Sequence, residues 1–374
     1  MAKVGIMSMQ RIANYGSFLQ AYALKAMIEK LGHDVQFVDY HVCPPVIQDT
    51  SESTNKLTRL FKKGLETFAF HAPLQHKLAF IKYKKNYARK YLPLLGITND
   101  YNYQPELDYL VIGSDEVFNC IQKNTNVGFS PELFGADNHA DKVITYAASF
   151  GNTTLSKLQQ YKKDDEVASY LKEISAISVR DNNSGKIVQD LTGISPEYNL
   201  DPVLAYDYFN ECKKIPELEV SERYLILYAY SGRITDAEAD WIASYAKRKS
   251  LKVYAIGGVQ KCANRFIDCL PFEVLAYFKG AEEVITDTFH GSIFSTIAHK
   301  PFTTIIRKSL GNSYGNEEKL ADLLNRLGLD SRMTYEVQDA ARINSNLIDY
   351  ATVDELIARE RLHTMRYLAD QLDS

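Results

Sequence analysis

Four stretches of this sequence set polar residues directly after a short apolar run, and each suggests a different chemistry. In Val284-Ile285-Thr286-Asp287-Thr288-Phe289-His290-Gly291-Ser292, an imidazole falls in the first turn of a helix that follows a buried strand. There it can donate a proton at neutral pH, with Asp287, Thr288, Gly291 and Ser292 as substrate-binding neighbours; the alternative is a core histidine. In Ile112-Gly113-Ser114-Asp115, small residues end a strand and Ser114 and Asp115 follow. The carboxylate is placed to accept a proton or a sugar hydroxyl, or else to cap a helix. In Ile177-Ser178-Val179-Arg180-Asp181, Arg180 offers a planar fork to a carboxylate or phosphate, or a salt bridge to a neighbour. In Arg11-Ile12-Ala13-Asn14-Tyr15-Gly16-Ser17, Asn14 and Ser17 can cap a helix and Gly16 permits a tight turn. The N–H groups around Tyr15 can then receive an anion; the alternative is an ordinary capped turn. Arg307, Lys308 and Asn312 add positive charge and a glycine-flanked loop after a later strand, unless they form only a solvated loop.

These residues must be held by strand ends and helix starts, and the pattern supplies both. Apolar runs over 4–9, 35–40, 109–113, 143–148, 176–179 and 197–200 read as buried strands, and 17–31 as a helix closing at Gly32. A second series has strands over 224–230, 252–257, 283–286 and 302–306. Its helices are expected over 236–248, 272–279, 289–299, 317–327 and 353–372. The alternation predicts α/β architecture with two Rossmann-like doubly wound domains, 1–206 and 207–374, facing a cleft that the strand ends line. One region interrupts it. Between 55 and 92 there are ten Lys or Arg and one acid, Glu66, interleaved with aromatics. It reads as a basic helical insertion in the first domain. Either its aromatics face inward and its lysines face solvent, or the face meets an anionic membrane or a lipid-linked acceptor.

Composition narrows the classes further. The 374 residues are 45% hydrophobic and carry a formal charge of −4, which suits a two-domain globular protein and argues against a dedicated nucleic-acid binder. The five cysteines (Cys43, Cys120, Cys212, Cys262 and Cys269) never form a CxxC pair, as in a reducing compartment and not in a zinc site. The beginning lacks a signal-peptide core and no stretch reaches 18 apolar residues, so the expectation is a soluble cytoplasmic protein. GxGxxG, GxxxxGK[ST] and HExxH are missing, which demotes dinucleotide, P-loop and zincin chemistry.

Taken together and in order, these stretches resemble the polysaccharide pyruvyl transferase family. The resemblance runs from about 4 to 306. It rests on Asn14-Tyr15-Gly16 with Gln20-Ala21-Tyr22-Ala23-Leu24, Gly113-Ser114-Asp115, Tyr146-Ala147-Ala148-Ser149-Phe150-Gly151, Ser178-Val179-Arg180, Leu200-Asp201-Pro202, and Thr286-Asp287 with His290-Gly291. It implies two Rossmann-like domains arranged as in GT-B glycosyltransferases. It also implies transfer of the enolpyruvyl group of phosphoenolpyruvate to a sugar of a cell-surface polysaccharide precursor, with no metal or other cofactor. His290 would be the general acid and Arg180 would hold the anionic donor. The acceptor would be a sugar or lipid-linked glycan, with peripheral contact at the inner membrane face through 55–92. One departure stands out. Better-understood members carry Arg-Leu-His where this chain has Thr288-Phe289-His290, and a threonine cannot make an arginine's bidentate pair. Either Arg307, Lys308 or Arg11 substitutes, or the donor is another anion such as a nucleotide-sugar. A non-catalytic glycan-binding protein on the same fold is the third reading.

Overall fold

The computed structural model describes residues 1–47, 67–122, 125–308 and 316–373. Asn312, and 55–66 of the expected insertion, lie outside the described residues. The chain divides into two compact units, one of Met1–Asp49, Leu92–Glu211 and Asp354–Ser374, the other of Thr50–Tyr91 and Cys212–Val353.

The first unit is built on β1 (Lys3–Met7), β2 (Asp34–Phe37), β3 (Glu106–Asp115), β4 (His139–Ala148), β5 (Ser178–Val179) and β6 (Glu197–Tyr198). They form a parallel sheet in the order β2-β1-β3-β4-β5-β6. Val4, Ile6, Leu110, Val111 and Ile112 on its central strands are buried. A strand apolar on both faces needs helical cover on both. Part of that cover is the helix Tyr15–Lys30, which Asn14 caps and which buries Phe18, Leu19, Leu24 and Ile28. One apolar cluster joins Ile112, Phe118, Phe134, Phe150, Val179 and Ile187 behind the strand ends.

The second unit contains β7 (Tyr224–Tyr228), β8 (Lys252–Ile256), β9 (Arg265–Phe266), β10 (Glu283–Thr286), β11 (Phe302–Ile305) and β12 (Met333–Thr334). Its order is β12-β11-β10-β7-β8-β9, again all parallel. Counted within the unit this is the Rossmann order, whereas the first unit has the flavodoxin-like order with one more strand. In both, the connections leave in opposite directions from one pair of neighbours, β1/β3 in the first and β7/β10 in the second. That divergence opens a crevice at the carboxyl ends of the pair.

The expected α/β class and doubly wound sheets are therefore observed, but two segments change sides. The described part of the basic segment was expected in the first domain and belongs to the second unit. In its helix Leu74–Tyr91, Tyr83, Tyr87 and Tyr91 are buried. Phe80 meets Phe266 edge-on at 5.7 Å and the Tyr91 hydroxyl donates to the Cys269 carbonyl at 2.8 Å. Conversely, the terminal helix Tyr350–Leu372, expected in the second domain, returns its last turns to the first unit. There Tyr367 donates to the Thr145 carbonyl at 2.8 Å, Lys142 to that of Gln371 at 2.9 Å and Arg361 to that of Leu204 at 2.8 Å. The expected boundary at 206 moves to 211. Among the described residues no helix is long and apolar enough to cross a membrane.

Candidate active site

In the first unit, β3 ends under a steric constraint. Gly113 has φ +125°, and a Cβ there would lie 2.2 Å from the Tyr146 carbonyl oxygen of β4, so only glycine fits. The chain then turns through Ser114 and through Asp115, whose φ is +77°. Ser114 is fully buried and spent internally: its hydroxyl donates to the Ala147 carbonyl at 3.2 Å, and its carbonyl accepts from Ser8 at 3.0 Å. Asp115 is more open. One carboxylate oxygen accepts from the Ser17 hydroxyl at 2.7 Å and the other faces Arg180 Nη2 at 3.4 Å.

Arg180 follows β5 and is buried. Its Nη1 donates to Asp201 at 2.9 Å, so the guanidinium stands between two carboxylates. Burial works against its charge, but Asp115, Asp201, Asp181 and Glu116 outweigh burial and hold its pKa above the usual arginine value. Asp181 is a helix cap: it accepts from the Ser184 N–H at 2.8 Å and from the Ser149 hydroxyl at 2.6 Å. Asn14 caps likewise, accepting from the Gly16 N–H at 2.8 Å, and Tyr15 is buried. The structure thus brings Ser17, Asp115 and Arg180 together. Asp201 completes the group and was not singled out as a site residue. In the sequence it stands in Leu200-Asp201-Pro202, one of the stretches that carry the resemblance, before a proline that marks a helix start.

In the second unit, β10 runs into the helix Phe289–Ile297. Thr288 is its N-cap, and its hydroxyl accepts from the Gly291 N–H at 2.9 Å. The missing side chain at Gly291 is required, because a Cβ would sit 2.1 Å from Thr286 Oγ1. Ser292 is fully buried, donating to the Thr288 carbonyl and sharing a 2.8 Å hydrogen bond with Thr304. These contacts pin the turn that carries His290, which is 8% exposed with Phe289 and Phe294 beside its ring. Asp287, one residue before the cap, is fully buried; Arg233 Nη1 lies 3.7 Å from its Oδ2. Burial pushes the Asp287 carboxyl above the usual aspartate range, against the pull of Arg233 and Arg307.

The basic residues offered as substitutes at Thr288 are otherwise engaged. Arg307 forks onto Glu238 at 2.7 and 3.1 Å, and its N–H donates to Asn316, which in turn donates to the Asp287 carbonyl at 2.6 Å. Arg11 forks onto Asp39 at 2.5 and 2.7 Å. Lys308 lies over the Tyr335 ring at 4.8 Å. Glu238 and Arg233 were not anticipated. The capping box Thr235–Glu238 is legible as a helix start, whereas Glu238's second bond, to Arg307, spans 69 residues.

Residues 14–309 match the polysaccharide pyruvyl transferase family. Among curated proteins none matches the chain significantly. Solved structures align with it at low identity. A protein assigned as a UDP-N-acetylglucosamine 2-epimerase from Listeria monocytogenes aligns with TM-score 0.50 and 8% identity over 95% of this chain and 90% of its own. The UDP-GlcNAc 2-epimerase of Neisseria meningitidis aligns with TM-score 0.49 and 8% identity over 100% and 99%. The kitacinnamycin glycotransferase aligns with TM-score 0.48 and 9% identity over 100% and 98%.

Proposed function

This chain belongs to the polysaccharide pyruvyl transferase family and is a transferase; on that premise we propose that it moves the enolpyruvyl group of phosphoenolpyruvate onto a sugar of a cell-surface polysaccharide precursor. The observation that carries this reading is the junction after β10, where the N-cap Thr288, the obligatory Gly291 and the buried Ser292 fix His290 in the first turn of its helix.

In this reading the His290 imidazolium gives its proton to the terminal CH2 carbon of phosphoenolpyruvate, which becomes a methyl group and leaves positive charge on the neighbouring carbon. A sugar hydroxyl oxygen bonds to that carbon while its proton passes to Asp115. The bond from that carbon to the phosphate oxygen breaks and inorganic phosphate departs. A second hydroxyl of the same sugar closes the ketal and releases a proton. Each turnover consumes one phosphoenolpyruvate and one diol and yields one ketal and one phosphate. Arg180 has two tasks here: its charge favours the anionic donor, and its bond to Asp115 orients the carboxylate that takes the hydroxyl proton.

A lipid-linked acceptor and contact with the inner membrane face belong to the same reading. Lys82, Lys84, Lys85, Arg89 and Lys90 are exposed on the helix Leu74–Tyr91, and 67–91 contain no acidic residue. An anionic bilayer favours such a face by about 1 kcal/mol per basic residue near its surface. Cosedimentation with phosphatidylglycerol vesicles that falls in a Lys82→Glu, Lys85→Glu, Arg89→Glu variant is the expected outcome; unchanged cosedimentation removes the membrane from the proposal.

The donor is tested by calorimetric titration with phosphoenolpyruvate, using wild type and Arg180→Ala. Binding by the wild type that weakens in the variant is expected. No wild-type binding, with a nucleotide-sugar binding instead, overturns the donor assignment.

A further inference from the structure

We propose that the outward face of the helix Leu74–Tyr91, with Phe68 before it, is a bilayer-insertion face: Phe68, Leu74 and Leu78 enter the apolar margin of an anionic phospholipid membrane while Lys82, Lys85 and Arg89 hold its phosphates. The inference rests on the membrane contact proposed above, to which it adds an apolar anchor, and it is independent of the donor.

The helix has two unlike faces. His76, Tyr83, Tyr87 and Tyr91 are buried and recur at seven, four and four residues, a single stripe at helical spacing. That stripe is pinned within the second unit: the Tyr83 and Phe80 rings meet Phe266 of β9 edge-on at 6.5 and 5.7 Å, and the Tyr91 hydroxyl donates to the Cys269 carbonyl at 2.8 Å. Leu74, Leu78, Lys82, Lys85 and Arg89 recur at four, four, three and four residues and therefore share the opposite stripe. All five are exposed, Leu74 at 60% and Leu78 at 53%. The amino-terminal half of this stripe is apolar and its carboxyl-terminal half is cationic.

The start of the face is held in place. Lys77 Nζ donates to the Phe68 carbonyl at 2.8 Å, which ties Phe68 to the first turns of the helix while its ring stays 45% exposed. Phe70 packs inward, since a Cβ on Gly232 would lie 2.8 Å from its ring, and His71 Nδ1 lies 2.7 Å from Asp236. Apolar groups fixed in this way lose little conformational entropy on binding.

Charge identifies the partner. The whole chain carries −4, yet 67–91 contain no acidic residue. A second copy laid against this face would set its cations against one another. An anionic bilayer neutralises them and offers apolar depth beside them, which suits a helix with leucines and lysines along one outward stripe. The terminal helix gives the contrast: Leu362 is 71% exposed there, but it stands among Glu355, Arg359, Glu360 and Arg366, with both signs of charge, as an ordinary surface leucine does.

Cosedimentation of the full chain with mixed phosphatidylglycerol and phosphatidylcholine vesicles, at low and at high salt, separates the anchor from the charge, because salt screens the second and spares the first. Wild type is expected to keep part of its binding at high salt. Leu74→Ser with Leu78→Ser weakens binding about 10-fold or more at low salt and abolishes the salt-resistant part. Lys82→Glu, Lys85→Glu, Arg89→Glu loses most binding at low salt and little at high salt. Leu78→Trp keeps binding, and its emission shifts to the blue on vesicles beyond any change that Trp241, the only tryptophan of the wild type, gives alone. Melting temperatures equal to wild type are expected, since every substituted side chain is exposed. Binding that high salt removes entirely, with the leucine variant bound as tightly as wild type and no shift from Leu78→Trp, means that charge alone attaches the protein and overturns the insertion. Wild type that binds none of these vesicles defeats membrane contact and insertion together and leaves the transferase reading standing. A dimer that the leucine variant turns into a monomer in sedimentation velocity assigns the face to a second copy and overturns the inference as well.

Discussion

The two strand-end regions solve the same electrostatic problem with opposite arrangements. In the first unit a buried cation, Arg180, stands between the equally buried Asp201 and the more open Asp115. In the second the buried group is an anion, Asp287, with Arg233 beside it at 31% exposure. A buried charge is tolerated only with compensation nearby, and which partner lies deeper decides which is left for a ligand. The more exposed member of the first group is the carboxylate of Asp115, and that of the second is the guanidinium of Arg233.

That contrast is breakable. The largest effect expected is on stability in the first unit: Arg180→Ala strips the buried Asp201 and the half-buried Asp115 of their partner and costs about 3–5 kcal/mol in denaturant unfolding. Adding Asp201→Asn to that variant recovers part of the loss. If Arg180→Ala melts like wild type, the buried cation is no part of the fold, and the two regions do not differ as described.

A smaller loss is expected from Arg233→Gln. The guanidinium is partly solvated, and Asp287 can take up a proton when left alone. The loss therefore shrinks as pH is lowered toward the carboxylate range and vanishes in the Asp287→Asn background. A pH-independent loss equal to that of Arg180→Ala would erase the distinction between the regions.

The smallest effect is a slope. Burial holds the folded-state pKa of Asp287 above the unfolded value, so the folded state binds more protons across that interval. Stability therefore falls as pH rises from the unfolded aspartate value of 3.8 toward the raised one. Asp287→Asn should remove this decline. Glu238 has the opposite sign. Burial alone would raise its pKa, but Arg307 and Thr235 hold it below the ordinary value. The stability it contributes is present above the unfolded pKa and is lost as pH falls through the folded one. Urea unfolding at a series of pH values reads both slopes; a wild-type slope that Asp287→Asn leaves unchanged would mean that Asp287 is not held with a raised pKa.

How much of this was legible in the sequence follows from the range of the interactions. The alternation of apolar runs and amphipathic segments is local, so the two doubly wound sheets and the strand-to-helix junctions at 113–115, 180–181 and 286–292 could be read directly. The capping roles of Asn14 and Thr288 rest on neighbours two or three residues away, and only Asn14 was read as a cap. The placement of the basic helix and of the terminal helix rests on contacts far apart in the chain, such as Tyr91 with Cys269 and Tyr367 with Thr145. Periodicity carries no trace of these, and both segments were assigned to the wrong unit. Arg233 was overlooked for the same reason, and Asp201, though part of the Leu200-Asp201-Pro202 stretch of the resemblance, was given no site role. Each gains one only beside a partner that the sheet order brings alongside, Asp287 for the first and Arg180 for the second.

The most direct test of the whole account is phosphate release from phosphoenolpyruvate in the presence of a glycan acceptor fraction, measured for wild type and His290→Ala at matched folded concentration. The account predicts release that depends on both donor and acceptor and falls about 10²- to 10⁴-fold in the variant, as loss of a general acid would produce, with little change in melting temperature. Release undiminished in His290→Ala would contradict it.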